Sequence, residues 1–377
     1  MRAGKHRVLF LLVVGVGLAA SASSFQPGFN QALRLGIRSD QTVTFRLKVP
    51  IGRAGARLQF TFRAGDGPVV IERANVAFAA SGGALASQPA TILFAGSESV
   101  SGGARQRLMS DPVEFPVSLG DELYVSFEFH GALGASIMGA LPDSYAAYGS
   151  YAYQSDPFGG NEHPRAVGLA TIDVESDFSR AVLTIGDSIT EGYVSGDVTV
   201  GTHVEDGFFG RTDDYRNAWS FVAQSILGVP FANAGVSGQG VNDVLANFDA
   251  ELGPLLGEVT DCIMLIGTND LGFLESSTII ARIGQIGAAL APYCQVWFST
   301  LVPKERTTGG DYETVRRRRH EVNDWLRQQN PLVDFESVLA QPDDVDHFLP
   351  GLGEDGIHPS IAGQQVMGQE VARVFGR

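Results

Sequence analysis

The chain has 377 residues, 44% hydrophobic and 18% charged, a globular composition too long for one small core, so two domains are expected. With 27 Lys and Arg against 42 Asp and Glu, the formal net charge is −15. That balance argues against nucleic acid and anionic membrane surfaces as partners, because their phosphates would repel it.

The N-terminus carries Arg2, Lys5 and Arg7, then an apolar run from Val8 to Ala20 and the small-x-small pattern Ala20-Ser21-Ala22. This order predicts a signal peptide over 1–22, cleaved after Ala22, and hence a secreted or periplasmic protein. The run of about 13 residues is short of the roughly 20 that a spanning helix needs, so no stable membrane insertion is expected after cleavage. No Cys follows it, which argues against a lipid-anchored form.

From Ser23 to about Asp177 apolar residues alternate, as in Val43, Phe45, Leu47 and Val49, in Leu58, Phe60 and Phe62, and in Leu123, Val125, Phe127 and Phe129. Period-two patterning with Gly-rich breaks predicts antiparallel strands with one buried face, hence an all-β sandwich domain over 23–178. Ser150 to Gly168, rich in aromatics, Pro and Gly, reads as an irregular connector.

Beyond Ser179 the pattern changes to short apolar runs, AVLTIG, DCIMLIG and QVWFSTLVP, separated by helical stretches. Buried parallel strands alternating with helices predict an open α/β sheet over 179–377, with ligands bound beyond the carboxyl ends of its strands. Arg316 to Arg319 read as the solvated face of a helix whose apolar side is Val315, Val322, Trp325 and Leu326. The two cysteines, Cys262 and Cys294, each open a strand-like run. They are either a disulfide between neighbouring strands, kept by an exported protein, or two inert buried thiols.

Ester cleavage by a serine needs a nucleophile, an imidazole base, a group that orients the imidazole, and donors for the oxyanion. Ser188 lies in IGDSITEGY, where a strand should stop and a helix start, and alone it reads more readily as a helix cap than as a nucleophile. Asp187 is the neighbouring candidate for fixing that turn. In DGIHPS, Asp355 and His358 are three residues apart, a spacing that can set a carboxylate on Nδ1 and leave Nε2 to face Ser188. NAGVSGQG offers the backbone N–H of Gly238, and IGTND offers the Asn269 amide; with the Ser188 N–H these could form a three-donor oxyanion hole. A glycine turn, a helix cap and a surface turn are the bland alternatives for these fragments, but all four occur in order at strand ends.

The blocks GDSITEG, NAGVSG, GTND and DGIHP resemble those of the SGNH, or GDSL-type, hydrolases over the C-terminal half. The resemblance implies a three-layer, flavodoxin-like domain in which Ser188 is the nucleophile, His358 the base and Asp355 its orienting acid. It also implies Ser188, Gly238 and Asn269 as the oxyanion donors; Gly235 matches the second block less well. The stretch Met109 to Phe129 resembles, more loosely, the β-sandwich that precedes the hydrolase domain in bacterial proteins similar to acetylxylan esterases. Val194 to Arg216 departs from the family pattern, and either walls the pocket or is a surface excursion. The GxSxG elbow is absent, and no HExxH or CxxC pair calls for a metal, so no cofactor is expected. The other histidines, His130, His163, His203, His320 and His347, read as structural or exposed.

The resulting expectation is a serine esterase acting on short acyl groups, acetyl above all, of a small-molecule or polysaccharide ester. An O-acyltransferase using the same residues and a non-catalytic carbohydrate-binding protein are the alternatives.

Overall fold

The computed structural model describes residues 23–194 and 213–376. The expected signal peptide, His203 and most of the segment from Val194 to Arg216 lie outside the described residues.

The N-terminal half is all antiparallel strand. Its principal members are β1 (Ser23–Asn30), β2 (Leu35–Pro50) and β3 (Gly55–Phe78), and shorter strands follow as β4 (Ala90–Ile92), β5 (Val100–Gly102), β6 (Arg107–Met109) and β7 (Val113–Val117). After these come β8 (Glu122–Gly139), β9 (Tyr145–Tyr148), β10 (Asn161–Glu162), β11 (Arg165–Val167) and β12 (Leu169–Asp177). The 12 strands form one hydrogen-bonded set because β3 serves two layers. Its first half pairs with β12, β6 and β7, its second with β8, β4 and β5, and the register shifts between Ala64 and Val69. A shift of this kind lets a long strand turn the corner between packed layers. Leu58, Phe60 and Phe62 from one layer meet Val125, Phe127 and Phe129 from the other in a single core.

The sheet differs from the expected single buried face. Thr44, Arg46, Asn75, Ser126 and Glu128 on the polar face are buried too. The connector after β9 covers them, and Arg46 donates to Ser126 Oγ at 2.9 Å and to the carbonyls of Ala152 and Gln154 at 3.3 and 2.6 Å. Alternation marks which residues are apolar, but a covered polar face with satisfied hydrogen bonds leaves the same pattern.

The C-terminal half holds a five-stranded parallel sheet of β13 (Val182–Gly186), β14 (Phe231–Gly235), β15 (Asp261–Leu265), β16 (Gln295–Ser299) and β17 (Leu332–Val333). Their spatial order is β14-β13-β15-β16-β17. Between these strands run α1 (Ser188–Glu191), α2 (Trp219–Leu227), α3 (Val241–Ala246), α4 (Ser276–Leu290) and α5 (Tyr312–Leu326), and after the last come α6 (Phe335–Leu339) and α7 (Ile361–Phe375). Helix α2 packs on α7, and α4 packs on α5 and α3. The order reverses between β14 and β15 around β13, which is where such sheets place a ligand. Among the described residues no helix is long and apolar enough to cross a membrane.

Two hydrophobic cores result, one ending at Val174 and the other beginning at Ala181. A polar seam joins them. Gln31 forms a parallel bridge with Asn233 of the edge strand β14, and Asn30 Nδ2 donates to the Asn233 carbonyl at 2.7 Å.

The reading of Arg316 to Arg319 as a solvated face is corrected by the structure. Arg318 and Arg319 are buried. Arg319 is held by Glu336 and by Asp346, at 2.7 Å to the latter, and Arg318 NH1 donates to the Leu271 carbonyl at 3.0 Å. Paired guanidinium groups can be buried where the helix is sandwiched, and a charge run does not show that the partners exist.

Cys262 and Cys294 form a disulfide, with Cα atoms 5.9 Å apart and a sequence separation of 32. Alkylation without reductant followed by mass spectrometry is expected to leave both cysteines unmodified. Replacing both by Ser is expected to lower stability by about 3 to 4 kcal/mol through the freed loop entropy of the unfolded chain.

Candidate active site

Strand β13 is buried along its length and ends at Gly186. A side chain there would bring Cβ within 2.1 Å of Thr190 Oγ1 and 2.5 Å of the Leu265 carbonyl, so only glycine lets the chain fold back so closely. Asp187 then caps α1, its Oδ1 accepting the Ile189 N–H at 3.0 Å. Because Asp187 takes the capping role, Ser188 is free of it. Ser188 Oγ lies 2.9 Å from His358 Nε2.

On the far side of the imidazole, His358 Nδ1 lies 3.1 Å from Asp355 Oδ2. The three-residue spacing works because Gly356 adopts a left-handed φ of 80° and Asp355 Oδ1 accepts the N–H groups of Ile357 and His358 at 3.0 and 2.8 Å. Nδ1 facing a carboxylate carries the proton, which leaves Nε2 as the acceptor for the serine hydroxyl. Burial would raise the Asp355 carboxyl, but hydrogen bonds from the His358 side chain and backbone outweigh it and hold it well below the usual carboxylate range. The Tyr193 ring packs against the imidazole with centroids 4.3 Å apart.

The loops after β14 and β15 complete the edge. Gly238 has a φ of 79° in the turn beyond β14. Val236 N–H donates to the Gly186 carbonyl at 3.0 Å, which sets that turn beside the Ser188 segment. Asn269 Nδ2 donates to the Gln239 carbonyl at 3.0 Å, tying the third block to the second. Neither Ser188 N–H nor Gly238 N–H has an acceptor among the described residues. Gly235 instead packs against α1, where a Cβ would stand 2.3 Å from Glu191 N.

Several polar groups around this edge were not singled out from sequence. Arg306 NH2 donates to Asp355 Oδ2 at 2.8 Å, and Lys304 Nζ, buried, donates to the Thr268 carbonyl at 3.0 Å. Glu191 and Gln239 are also buried, and their partners come partly from the N-terminal half. Glu191 and Gln239 sit inside or beside the recognised blocks, but nothing local shows what they touch. Among the described residues no three His, Cys, Asp or Glu side chains are grouped to hold a metal ion.

Burial pushes the Asp187 carboxyl up to about 6, against the pull of the Ile189 N–H and the His358 and Lys304 charges. A raised carboxyl pKa means that the folded state binds this proton more tightly than the unfolded chain does. The associated stability is present below the unfolded value near 4 and is lost as pH rises through about 6. Asp187→Asn keeps an acceptor for Ile189 without that loss. Relative to wild type, it is expected to gain about 2 kcal/mol between pH 4 and pH 7 in urea unfolding, whereas a constant difference would contradict this account.

Residues 184–366 match the family model of the GDSL-like Lipase/Acylhydrolase family. Similar solved structures include a member of the lipolytic protein G-D-S-L family from Veillonella parvula, at 20% identity and a TM-score of 0.40 over 53% of this chain and 100% of that one. An acetylxylan esterase from Geobacillus stearothermophilus is similar at 16% identity and a TM-score of 0.38, over 53% of this chain and 95% of its own. A GDSL-like lipase from Bacteroides thetaiotaomicron is similar at 16% identity and a TM-score of 0.40, over 52% and 88%. No curated protein matches the chain. Residues 184–366 of this protein thus match as a domain of the GDSL-like lipase/acylhydrolase family, preceded by a large antiparallel β region.

Proposed function

We propose that the protein is an exported serine esterase that removes short acyl groups, acetyl above all, from carbohydrate. Residues 23–178 are its accessory domain and 179–377 its catalytic domain. The observation that carries the esterase reading is the hydrogen-bonded line from Ser188 Oγ through His358 to Asp355.

Ser188 Oγ attacks the ester carbonyl while His358 Nε2 takes its proton, and Asp355 stabilises the imidazolium through Nδ1. The carbonyl oxygen becomes an oxyanion, met by the N–H groups of Ser188 and Gly238 and by the second hydrogen of the Asn269 amide. His358 returns its proton to the leaving alcohol. A water then attacks the acyl-enzyme, giving its proton to His358, and the acid leaves as Ser188 recovers that proton. Placing the Ser188 N–H at a helix start adds the favourable field of aligned peptide dipoles.

Export is supported by the basic start, the Val8 to Ala20 run and the Ala20-Ser21-Ala22 site. The Cys262–Cys294 disulfide supports it independently, because such bonds persist in oxidising compartments. A short acyl group is favoured because the sequence has no long apolar lid segment, and an attached β domain suits a polymeric alcohol.

Ser188→Ala is expected to reduce p-nitrophenyl acetate turnover to background. Asn269→Ala is expected to lower kcat by about 10²- to 10³-fold with KM little changed, since its donor acts in the transition state. Acetate release from acetylated xylan, with Ser188→Ala as the control, tests the substrate. Acetyl transfer to an added sugar in place of release would redirect the reading to an O-acyltransferase.

A further inference from the structure

Gly238 has a neighbour on each side whose side chain is anchored away from the loop. On one side, Ser237 gives both its N–H and its Oγ–H to Glu191 Oε2, at 2.7 and 2.6 Å. Glu191 is buried, and its Oε1 accepts the N–H of Met138 in β8 at 3.1 Å; the Ile137 N–H also donates to the carboxylate. Arg165 of β11, equally buried, supplies a guanidinium within electrostatic reach of it.

On the other side, Gln239 Oε1 accepts from NH2 of Arg34, in the loop between β1 and β2, at 3.2 Å. The same Gln239 donates through Nε2 to the Gly186 carbonyl and accepts the Asn269 amide on its own backbone oxygen at 3.0 Å. Arg34 is itself held by Glu251, 3.7 Å away, and Glu251 also pairs with Arg63 of β3 at 2.8 Å. Each anchor therefore begins in the N-terminal β region and ends next to a candidate oxyanion donor.

We propose that the N-terminal β region positions the oxyanion loop, with Glu191 and Arg34 as positioning residues that hold Ser237 and Gln239, and through them Gly238 and Asn269. This rests on the reading of Ser188 as nucleophile and of Gly238 and Asn269 as oxyanion donors. The physical reason is that a fixed donor stabilises a developing charge without reorganising, and a displacement of about 1 Å can lower the rate 10²-fold. Glu191 accepts from donors that converge on its carboxylate, so it pins the loop from one side. Arg34 fixes the Gln239 amide, and so the carbonyl that orients Asn269, from the other.

The test uses the full-length protein with p-nitrophenyl acetate and a trifluoromethyl ketone as a transition-state analogue. Glu191→Gln keeps the size but turns an NH2 toward converging donors; Arg34→Met keeps the stem and removes the guanidinium. Each is expected to lower kcat by about 10-fold or more, with KM within about twofold, and to weaken the analogue in parallel. Arg34→Lys is expected to recover part of both losses. A role confined to stability would lower the unfolding midpoint but leave kcat and analogue affinity at wild-type values. That result in folded variants, or a change in KM alone, overturns the proposal. Should Glu191→Gln fail to fold, the partly exposed Arg34 decides it alone. Failure of the underlying reading looks different: Ser188→Ala would then remain active, or the wild type would cleave no ester.

Discussion

The close approach at the end of β13 is the constraint on which the site depends. Gly186 leaves room for Thr190 to fold over the strand and for the Leu265 carbonyl to pass beside it. Three consequences follow from the one missing Cβ. Asp187 is placed to cap α1, Ser188 is turned toward His358, and the Gly186 carbonyl is open to Val236 N–H and to the Gln239 amide. The segments after β13 and β14 are thereby locked to each other before any substrate arrives. The segment after β15 joins them through Asn269, and Asp270 Oδ2 takes the Val241 N–H at 3.0 Å.

Holding that geometry requires charge in places where charge is unfavourable. Asp187, Glu191, Asp270 and Lys304 are all buried. Burial pushes the three carboxyls upward, with Asp270 reaching about 6, and pushes the Lys304 ammonium downward. Each keeps a hydrogen bond to backbone, which limits the cost of leaving water but does not remove it. A stability optimum would replace some of these groups with apolar ones. Their presence at the carboxyl edge of the sheet fits the general trade between a preorganised site and a stable one.

The parallel strands and the four polar blocks were legible because each depends on local pattern or on the order of buried runs, whereas Cys262 and Cys294 read equally as a disulfide or as two thiols until β15 was seen beside β16. The buried guanidinium of Arg319 and the covered polar face around Arg46 were not. In both cases the partners come from distant segments, as Arg46 shows with a bond to Gln154, 108 residues away. The same reason hid Arg34, which reaches Gln239 across 205 residues. Sequence pattern reports the period of an element and the chemistry of a strand end; it carries no record of which remote group will lie over it. Glu191 illustrates the limit most plainly, since it sits within GDSITEG and yet its role follows from Ser237, Met138 and Ile137.

The β region is consequently more than a neighbour of the hydrolase fold. Strand β14 is the edge of the parallel sheet, and an edge strand leaves backbone groups unpaired on one side. Asn30 and Gln31 occupy that side at Asn233, two residues before β14 ends and the turn leads to Gly238. Covering the edge and steadying the loop are therefore one structural act, because both use the short stretch that leaves β1 and carries Arg34. A rigid loop at the exposed edge of a five-stranded sheet needs support from outside the sheet, and here the second core supplies it. The order of the two halves in the chain then has a physical meaning: the β region delivers its first strand to the edge that the site depends on.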